Sequence, residues 1–180
     1  RLTPRITETA KVLWSVYAVL TVLCMIAYRV AGMTWIDALI HAFTTMGLGG
    51  FSSHDASFGY FDSAAIELVA IVFMTLAGIN FATHFVAWHS KSLLPFRRDP
   101  EVMTFMFILV TSVVVVGLYL WFNETYPDFS TSMRHAAFNT VSVATTTGYA
   151  TEDYAKWPFF APRCLMFLAS FATCSGSAGG

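Results

Sequence analysis

The chain has 180 residues, 56% of them hydrophobic, 16% aromatic and only 12% charged, with a formal net charge of −1. Soluble domains carry about 25% charged residues, so an ordinary water-soluble domain is excluded. So are a disordered chain held open by charge and a nucleic-acid binder with a basic face. The mean hydropathy of +0.61 and the 17 Phe place the chain in lipid, where the unit to count is the spanning helix.

Residues 12–28 carry no charge and form the lower edge of a spanning helix, with Thr7 or Thr9 as its expected cap. Residues 34–46 place Ile36, Leu39, Ile40 and Phe43 at helical spacing. This run is too short to span and reads as a re-entrant half helix, running directly into Gly47-Leu48-Gly49-Gly50-Phe51. Residues 63–88 are long enough to span, with Glu67 near the start and Gly78 and Asn80 interrupting midway. Residues 90–101 form a polar loop in which Pro95 and Pro100 are expected to break helicity. Residues 102–122 are an uncharged spanning run, followed by a polar turn over 123–132. A second short helix over 133–144 leads into Thr145-Thr146-Thr147-Gly148-Tyr149-Ala150. Residues 158–173 begin another span, which Cys174-Ser175-Gly176-Ser177-Ala178-Gly179-Gly180 breaks where its middle is expected.

The order of elements repeats: spanning helix, half helix, Gly-containing loop, spanning helix. Placing Gly50-Phe51 on Gly148-Tyr149 gives an offset of 98 residues, which aligns the two half helices and overlays the uncharged runs. The chain has no initiator Met and stops at Gly180 just after an apolar stretch, so it is expected to be part of a longer membrane chain. Arg1, Arg5, Lys11, Lys91, Arg97 and Arg98 fall on one side, which the positive-inside rule makes cytoplasmic. Asp37, Asp55, Asp62, Glu124, Asp128, Glu152 and Asp153 collect on the other side, as a rim that would concentrate cations.

Non-helical backbone at membrane depth is tolerated only where protein buries it or where it lines an aqueous path. Two re-entrant Gly loops at equivalent places therefore ask for a pore. A ring of backbone carbonyls replaces an ion's hydration shell in potassium-channel filters built from T-V-G-Y-G loops. Thr146-Thr147-Gly148-Tyr149-Ala150 parallels that string, with Tyr149 expected to pack outward and brace the loop. Each half helix would aim its negative C-terminal end at the cation.

HAFTTMGLGGFS, NTVSVATTTGYA and CSGSAGG resemble the Trk/Ktr/HKT superfamily of potassium transporters, and most closely its bacterial Trk channel-forming subunits, over the whole chain. The resemblance implies an all-α membrane fold in which four membrane–pore-loop–membrane repeats share one pore. Residues 1–98 would be the second repeat with its cytoplasmic linker. Residues 99–180 would be the third, truncated in its broken last helix. Gly50 and Gly148 match the key filter glycine. The carbonyls of Gly47, Leu48, Gly49 and Gly50 and of Thr145, Thr146, Thr147 and Gly148 would then coordinate the potassium ion. The first loop departs from the T-x-G pattern in having Gly49 before Gly50. Cys174, Ser175, Gly176, Ser177, Ala178, Gly179 and Gly180 match the family's intramembrane gating loop. The resemblance also implies a multi-pass protein of the bacterial inner membrane, a homodimer, and a cytosolic ring of nucleotide-binding regulatory subunits, which Lys91, Arg97 and Arg98 could contact. A sodium-permeable or K⁺/Na⁺-cotransporting member, and a non-conducting membrane subunit, are the competing readings.

Other residues read as structural. Cys24, Cys164 and Cys174 lie in apolar runs without disulfide or metal spacing and are expected to be small buried hydrophobes. His41 and His135 are expected to pack or hydrogen-bond, and His84 and His89 to lie near the cytoplasmic end. Arg163, in an apolar stretch, either has a function or snorkels outward. The sequence contains no nucleophile–base set, Walker loop or catalytic carboxylate pair and suggests no cofactor, so transport rather than catalysis is expected.

Overall fold

The computed structural model describes residues 3–170 and 173–179 and is all-helical across them apart from turns and loops. Helix α1 (Thr3–Ala31) is longer at both ends than the uncharged run, so Thr7 and Thr9 lie within it and not at its start. Its C-terminus is closed by Gly32 at φ 118°, with Met33 N–H bonded to Tyr28 C=O at 3.1 Å and Gly32 N–H to Arg29 C=O at 3.3 Å. This pair of bonds is a Schellman motif, which turns the chain sharply into the next helix. Helix α2 (Trp35–Met46) matches the expected half helix. At about 1.5 Å per residue it rises roughly 18 Å, short of a bilayer core.

The run read as one span over 63–88 is two helices, α3 (Ala64–Ala77) and α4 (Phe81–Ser90), bent by 96°. Gly78 ends α3 by bonding back to Met74 C=O, and Asn80 restarts the chain as α4 by accepting Ala82 N–H on its side chain at 2.8 Å. A helix stop and a helix-starting cap two residues apart redirect the chain instead of kinking it.

The prolines also act differently from expectation. Pro95 lies in the first turn of α5 (Leu94–Arg98), and Pro100 opens α6 (Pro100–Phe122) behind the capping side chain of Asp99. Proline's missing N–H costs nothing in a first helical turn, so it starts helices there. Helix α7 (Phe129–Ala144) begins four residues earlier than expected. Helix α8 (Phe160–Leu168) ends at Leu168, well short of the expected 173, in a tight turn where Ala169 N–H meets Leu165 C=O at 3.0 Å. Residues 171 and 172 of that expected span lie outside the described residues.

Among the described residues, the 22-residue segment Ala10–Ala31 and the 23-residue α6 are long and apolar enough to cross a membrane, and the bent α3–α4 pair is a third candidate. The core forms where α2 packs on α1 and where α7 packs between α3 and α6. Small residues allow close approach: a Cβ at Gly117 would overlap the Met133 sulfur, and Ala38, Ala42, Ala70 and Ala136 are fully buried. Large apolar side chains such as Val30, Phe107 and Phe122 face outward, as a lipid solvent permits. Cys24 and Cys174 are buried, Cys164 is half-buried, and all three are free thiols.

Candidate functional site

The loops after α2 and α7 share three backbone hydrogen bonds, and the second adds Gly148 N–H to Ser142 C=O at 3.3 Å. After α2, the N–H groups of Gly47, Leu48 and Gly49 donate to the carbonyls of Phe43, Thr45 and Thr44 at 2.9, 3.1 and 2.8 Å. After α7, those of Thr145, Thr146 and Thr147 donate to Val141, Val143 and Ser142 at 2.9, 3.0 and 2.9 Å. Every donor and acceptor is displaced by the same 98 residues that aligned the sequence.

The backbone dihedrals repeat too. Leu48 (φ 48°) and Gly50 (φ 68°) match Thr146 (φ 60°) and Gly148 (φ 88°) in the left-handed region, while Gly49 and Thr147 between them stay out of it. Alternating handedness turns successive peptide groups the same way, so a short loop presents a row of like dipoles. Left-handed geometry costs a non-glycine residue roughly 1–2 kcal/mol, so Leu48 and Thr146 hold it against their own preference.

The loops meet at Gly50. A Cβ there would overlap the Thr147 carbonyl oxygen and lie 3.0 Å from its carbon, so only glycine fits. A Cβ at Gly148 would have nothing within 4 Å.

Tyr149 is fully buried and braces the junction from behind. Its ring lies 4.5 Å from that of Phe58. Its hydroxyl bonds the Thr44 hydroxyl, lies 3.2 Å from that of Thr45, and donates to His41 C=O at 3.3 Å. Tyr149 C=O accepts from the Ser142 hydroxyl at 2.6 Å. The brace therefore joins the loop after α7 to the helix α2 of the other unit.

Residues 173–179 run underneath. A Cβ at Gly179 would come 2.9 Å from Leu48 Cδ1 and 3.2 Å from Thr146 Oγ1, at matching places in the two loops. The segment is pinned to the α3–α4 break by three backbone bonds: Cys174 N–H to Gly78 C=O at 3.1 Å, Ala178 N–H to Ala77 C=O at 3.1 Å, and Phe81 N–H to Gly176 C=O at 3.2 Å. Gly176, at φ 75°, faces the Asn80 side chain. Gly180 lies outside the described residues.

His41 and His135 hydrogen-bond within the fold, as expected. His41 is fully buried between Asp37 C=O and the Ser52 hydroxyl, both at 2.8 Å. His135 Nδ1 lies 3.0 Å from the Thr151 hydroxyl, and His84 Nε2 lies 2.8 Å from Leu76 C=O. The Arg163 guanidinium stacks over Phe159, 3.0 Å from the ring centroid. Several acids of the expected outer rim are committed locally. Asp37 accepts from the Thr34 and Ser53 hydroxyls at 2.7 Å each, which hold its carboxyl below the usual carboxylate range. Asp153 pairs with Lys156 at 3.2 Å and Asp62 with Arg134 at 3.0 Å.

Sequence reasoning missed Arg134 and the docking role of Gly78–Asn80. Glu67 carried a signal, because an acid in an apolar run needs a partner. Its partner, Arg134, is 67 residues away in the half helix α7 and leaves no local pattern.

The family model described as TrkH, a cation transport protein, matches residues 1–180. The Trk system potassium uptake protein TrkH of Halomonas elongata is 48% identical over 180 residues, covering 100% of this chain and 37% of that protein. Its Escherichia coli K12 counterpart is 43% identical with the same coverage. The crystal structure of the potassium transporter TrkH from Vibrio parahaemolyticus matches at a TM-score of 0.95 and 44% identity, over 98% of this chain and 38% of that one. The chain thus spans about 37% of the length of these curated relatives. With the family matched from end to end and the helical architecture shared, this chain belongs to the TrkH cation transport family, whose members are multi-pass membrane transporters and not enzymes.

Proposed function

We propose that this chain contributes two filter loops and a gating segment to a pathway for potassium uptake across a bacterial inner membrane. The observation that carries this reading is the doubled loop, with three equivalent bonds and the same left-handed positions in both copies, meeting at Gly50. Dehydrating K⁺ requires oxygen dipoles fixed in advance, and carbonyl rings supply them. In this reading the carbonyls of Gly47–Gly50 and Thr145–Gly148 line the ion path, and the C-terminal ends of α2 and α7 add negative potential. Residues 1–98 act as the second of four repeats and 99–180 as the third. Phe51, 75% exposed, and the open side of Gly148 face the remaining repeats.

The segment Cys174–Gly180 serves as the gate, because a glycine-rich strand directly beneath both loops obstructs the path until it moves. The whole transporter works as a homodimer with a cytosolic nucleotide-binding ring. Helix α5, which carries Arg97 and Arg98, offers that ring a basic contact together with Lys91; charge reversal of the three residues should abolish co-purification. The deciding experiment is K⁺ and Na⁺ flux, with reversal potentials, through the full-length protein in liposomes. Gly50→Asp and Gly148→Asp should each remove K⁺-selective flux. Native selectivity in both variants would reject the reading.

A further inference from the structure

The unit that contains α7 does not hold its own loop alone. Arg134, in the second turn of α7, makes a two-pronged ion pair with Glu67 of α3: Nε to Oε2 and Nη2 to Oε1, both at 2.7 Å. Its Nη2 also reaches Asp62 at 3.0 Å. The Glu67 side chain is 3% exposed and that of Asp62 85%, so Glu67 is the partner that matters. Exposed pairs contribute little, whereas a buried carboxylate must be paired. The fork of an arginine on a carboxylate fixes direction as well as distance.

The next residue, His135, contacts the Thr151 hydroxyl at 3.0 Å, and Asn139, one turn on, donates to it at 2.9 Å. The ion pair therefore sits beside the anchor of the strand leaving the loop. The stretch that precedes Glu67 grips the same strand from the other side. Gly59 N–H donates to Ala150 C=O at 3.3 Å, and Ala150 N–H to the Ser57 hydroxyl at 3.4 Å. A Cβ at Gly59 would come 2.9 Å from the Thr151 carbonyl oxygen.

We propose that Glu67 and Arg134 are positioning residues for ion selection: the α3 carboxylate fixes α7, and with it the spacing of the carbonyls at 145–148, so discrimination in one loop is set by the neighbouring unit. This rests on reading the loops as a filter.

The test is the K⁺/Na⁺ permeability ratio of the full-length protein in liposomes, with Gly148→Ala measured in parallel. Glu67→Gln strands the guanidinium and should lower the ratio by about tenfold, within the range that packed contacts away from a site reach. Asp62→Asn should leave the ratio within about twofold, as expected for an exposed pair. The exchange Glu67→Arg with Arg134→Glu should restore the ratio toward native, which a merely structural loss would not do. Should Glu67→Gln fail to fold, Glu67→Asp, which keeps the charge but shortens the arm, should show a smaller drop. A native ratio in the folded Glu67 variants, or a drop that the exchange fails to reverse, overturns the proposal. If Gly148→Ala changes the ratio while the Glu67 variants do not, only this inference falls. If none of them changes it, the filter reading falls as well.

Discussion

After α2 the chain reads Gly47-Leu48-Gly49-Gly50-Phe51, and after α7 it reads Thr145-Thr146-Thr147-Gly148-Tyr149. The backbones agree in every bond compared and in both left-handed positions, yet the surroundings diverge. Thr145 and Thr147 bond each other through their hydroxyls at 2.8 Å, where Gly47 and Gly49 have no side chain. Tyr149 is buried against α2, while Phe51 is 75% exposed. Gly50 is crowded by a neighbouring carbonyl, while Gly148 is open. The loop's shape therefore comes from its hydrogen bonds to the preceding helix and from two residues able to turn left-handed. Side chains decide how firmly each copy is held and by which neighbour.

The glycine pair gives the largest expected effect. Gly50→Ala drives a methyl group into the Thr147 carbonyl. Overpacking of about 1–3 kcal/mol adds to left-handed strain of roughly 1–2 kcal/mol. K⁺ flux should vanish and Tm should fall. Gly148→Ala meets no clash among the described residues and should cost only the left-handed strain, roughly 1–2 kcal/mol. Equal damage from both in the full-length protein would show a further neighbour packed against Gly148, which makes the two loops equivalent. Unequal damage would keep them distinct.

Tyr149→Phe tests the brace. It removes a hydroxyl shared among Thr44, Thr45 and the His41 carbonyl, each of which keeps another hydrogen-bond partner, at a cost of about 0.5–1.5 kcal/mol. Phe51 already lacks a hydroxyl at the matching place, so its loop needs no such bond. Thermal unfolding of the variant should move accordingly. An unchanged Tm would mean that ring packing alone holds the loop.

The two units also differ in how their last helices break. In the first, Gly78 and Asn80 turn the chain through 96°; in the second, α8 stops at Leu168 and residues 173–179 settle into that bend. Asn80→Ala removes the cap of α4 and the side chain facing Gly176. With about 1 kcal/mol lost from the docked state, basal flux should rise roughly fivefold. Unchanged basal flux would leave the bend a scaffold with no part in gating.

Much of this was legible in the sequence because it depends on local chemistry. The half helix over 34–46, the uncharged run at 102–122 and the offset of 98 residues all follow from hydropathy and glycine placement, and the structure keeps all three. The misreadings came from residues whose effect depends on position within a turn. Pro95 and Pro100 look like breakers but start helices, because a first turn has no bond for proline to lose. Gly78 and Asn80 read as a weak spot within one span, yet a stop followed by a cap made a corner. In the candidate site, the loops and the segment 174–180 stood out by composition. What holds them did not, because Glu67–Arg134 and Tyr149–Thr44 join residues far apart in sequence.

The smallest expected effect separates the two half helices at their starts. On α2, the Thr34 hydroxyl accepts Asp37 N–H at 3.1 Å and donates to the Asp37 carboxylate at 2.7 Å, a side-chain cap. On α7, Asp128 stands at the capping position but makes no capping bond through its side chain. Thr34→Ala should therefore cost about 1 kcal/mol and Asp128→Ala only a few tenths. The cap also carries a pH signature of known sign. Because the folded-state pKa of Asp37 lies below its ordinary 3.8, its contribution is fully present above that value and is lost only as pH falls through the lower, folded value. Melting of the wild type and of Asp37→Asn should thus differ at neutral pH and converge only under strong acid. The helix lacking a side-chain cap is the one held by the Glu67–Arg134 pair, so each half helix is fixed at its outer end: α2 by its own cap, and α7 by a carboxylate of the neighbouring unit.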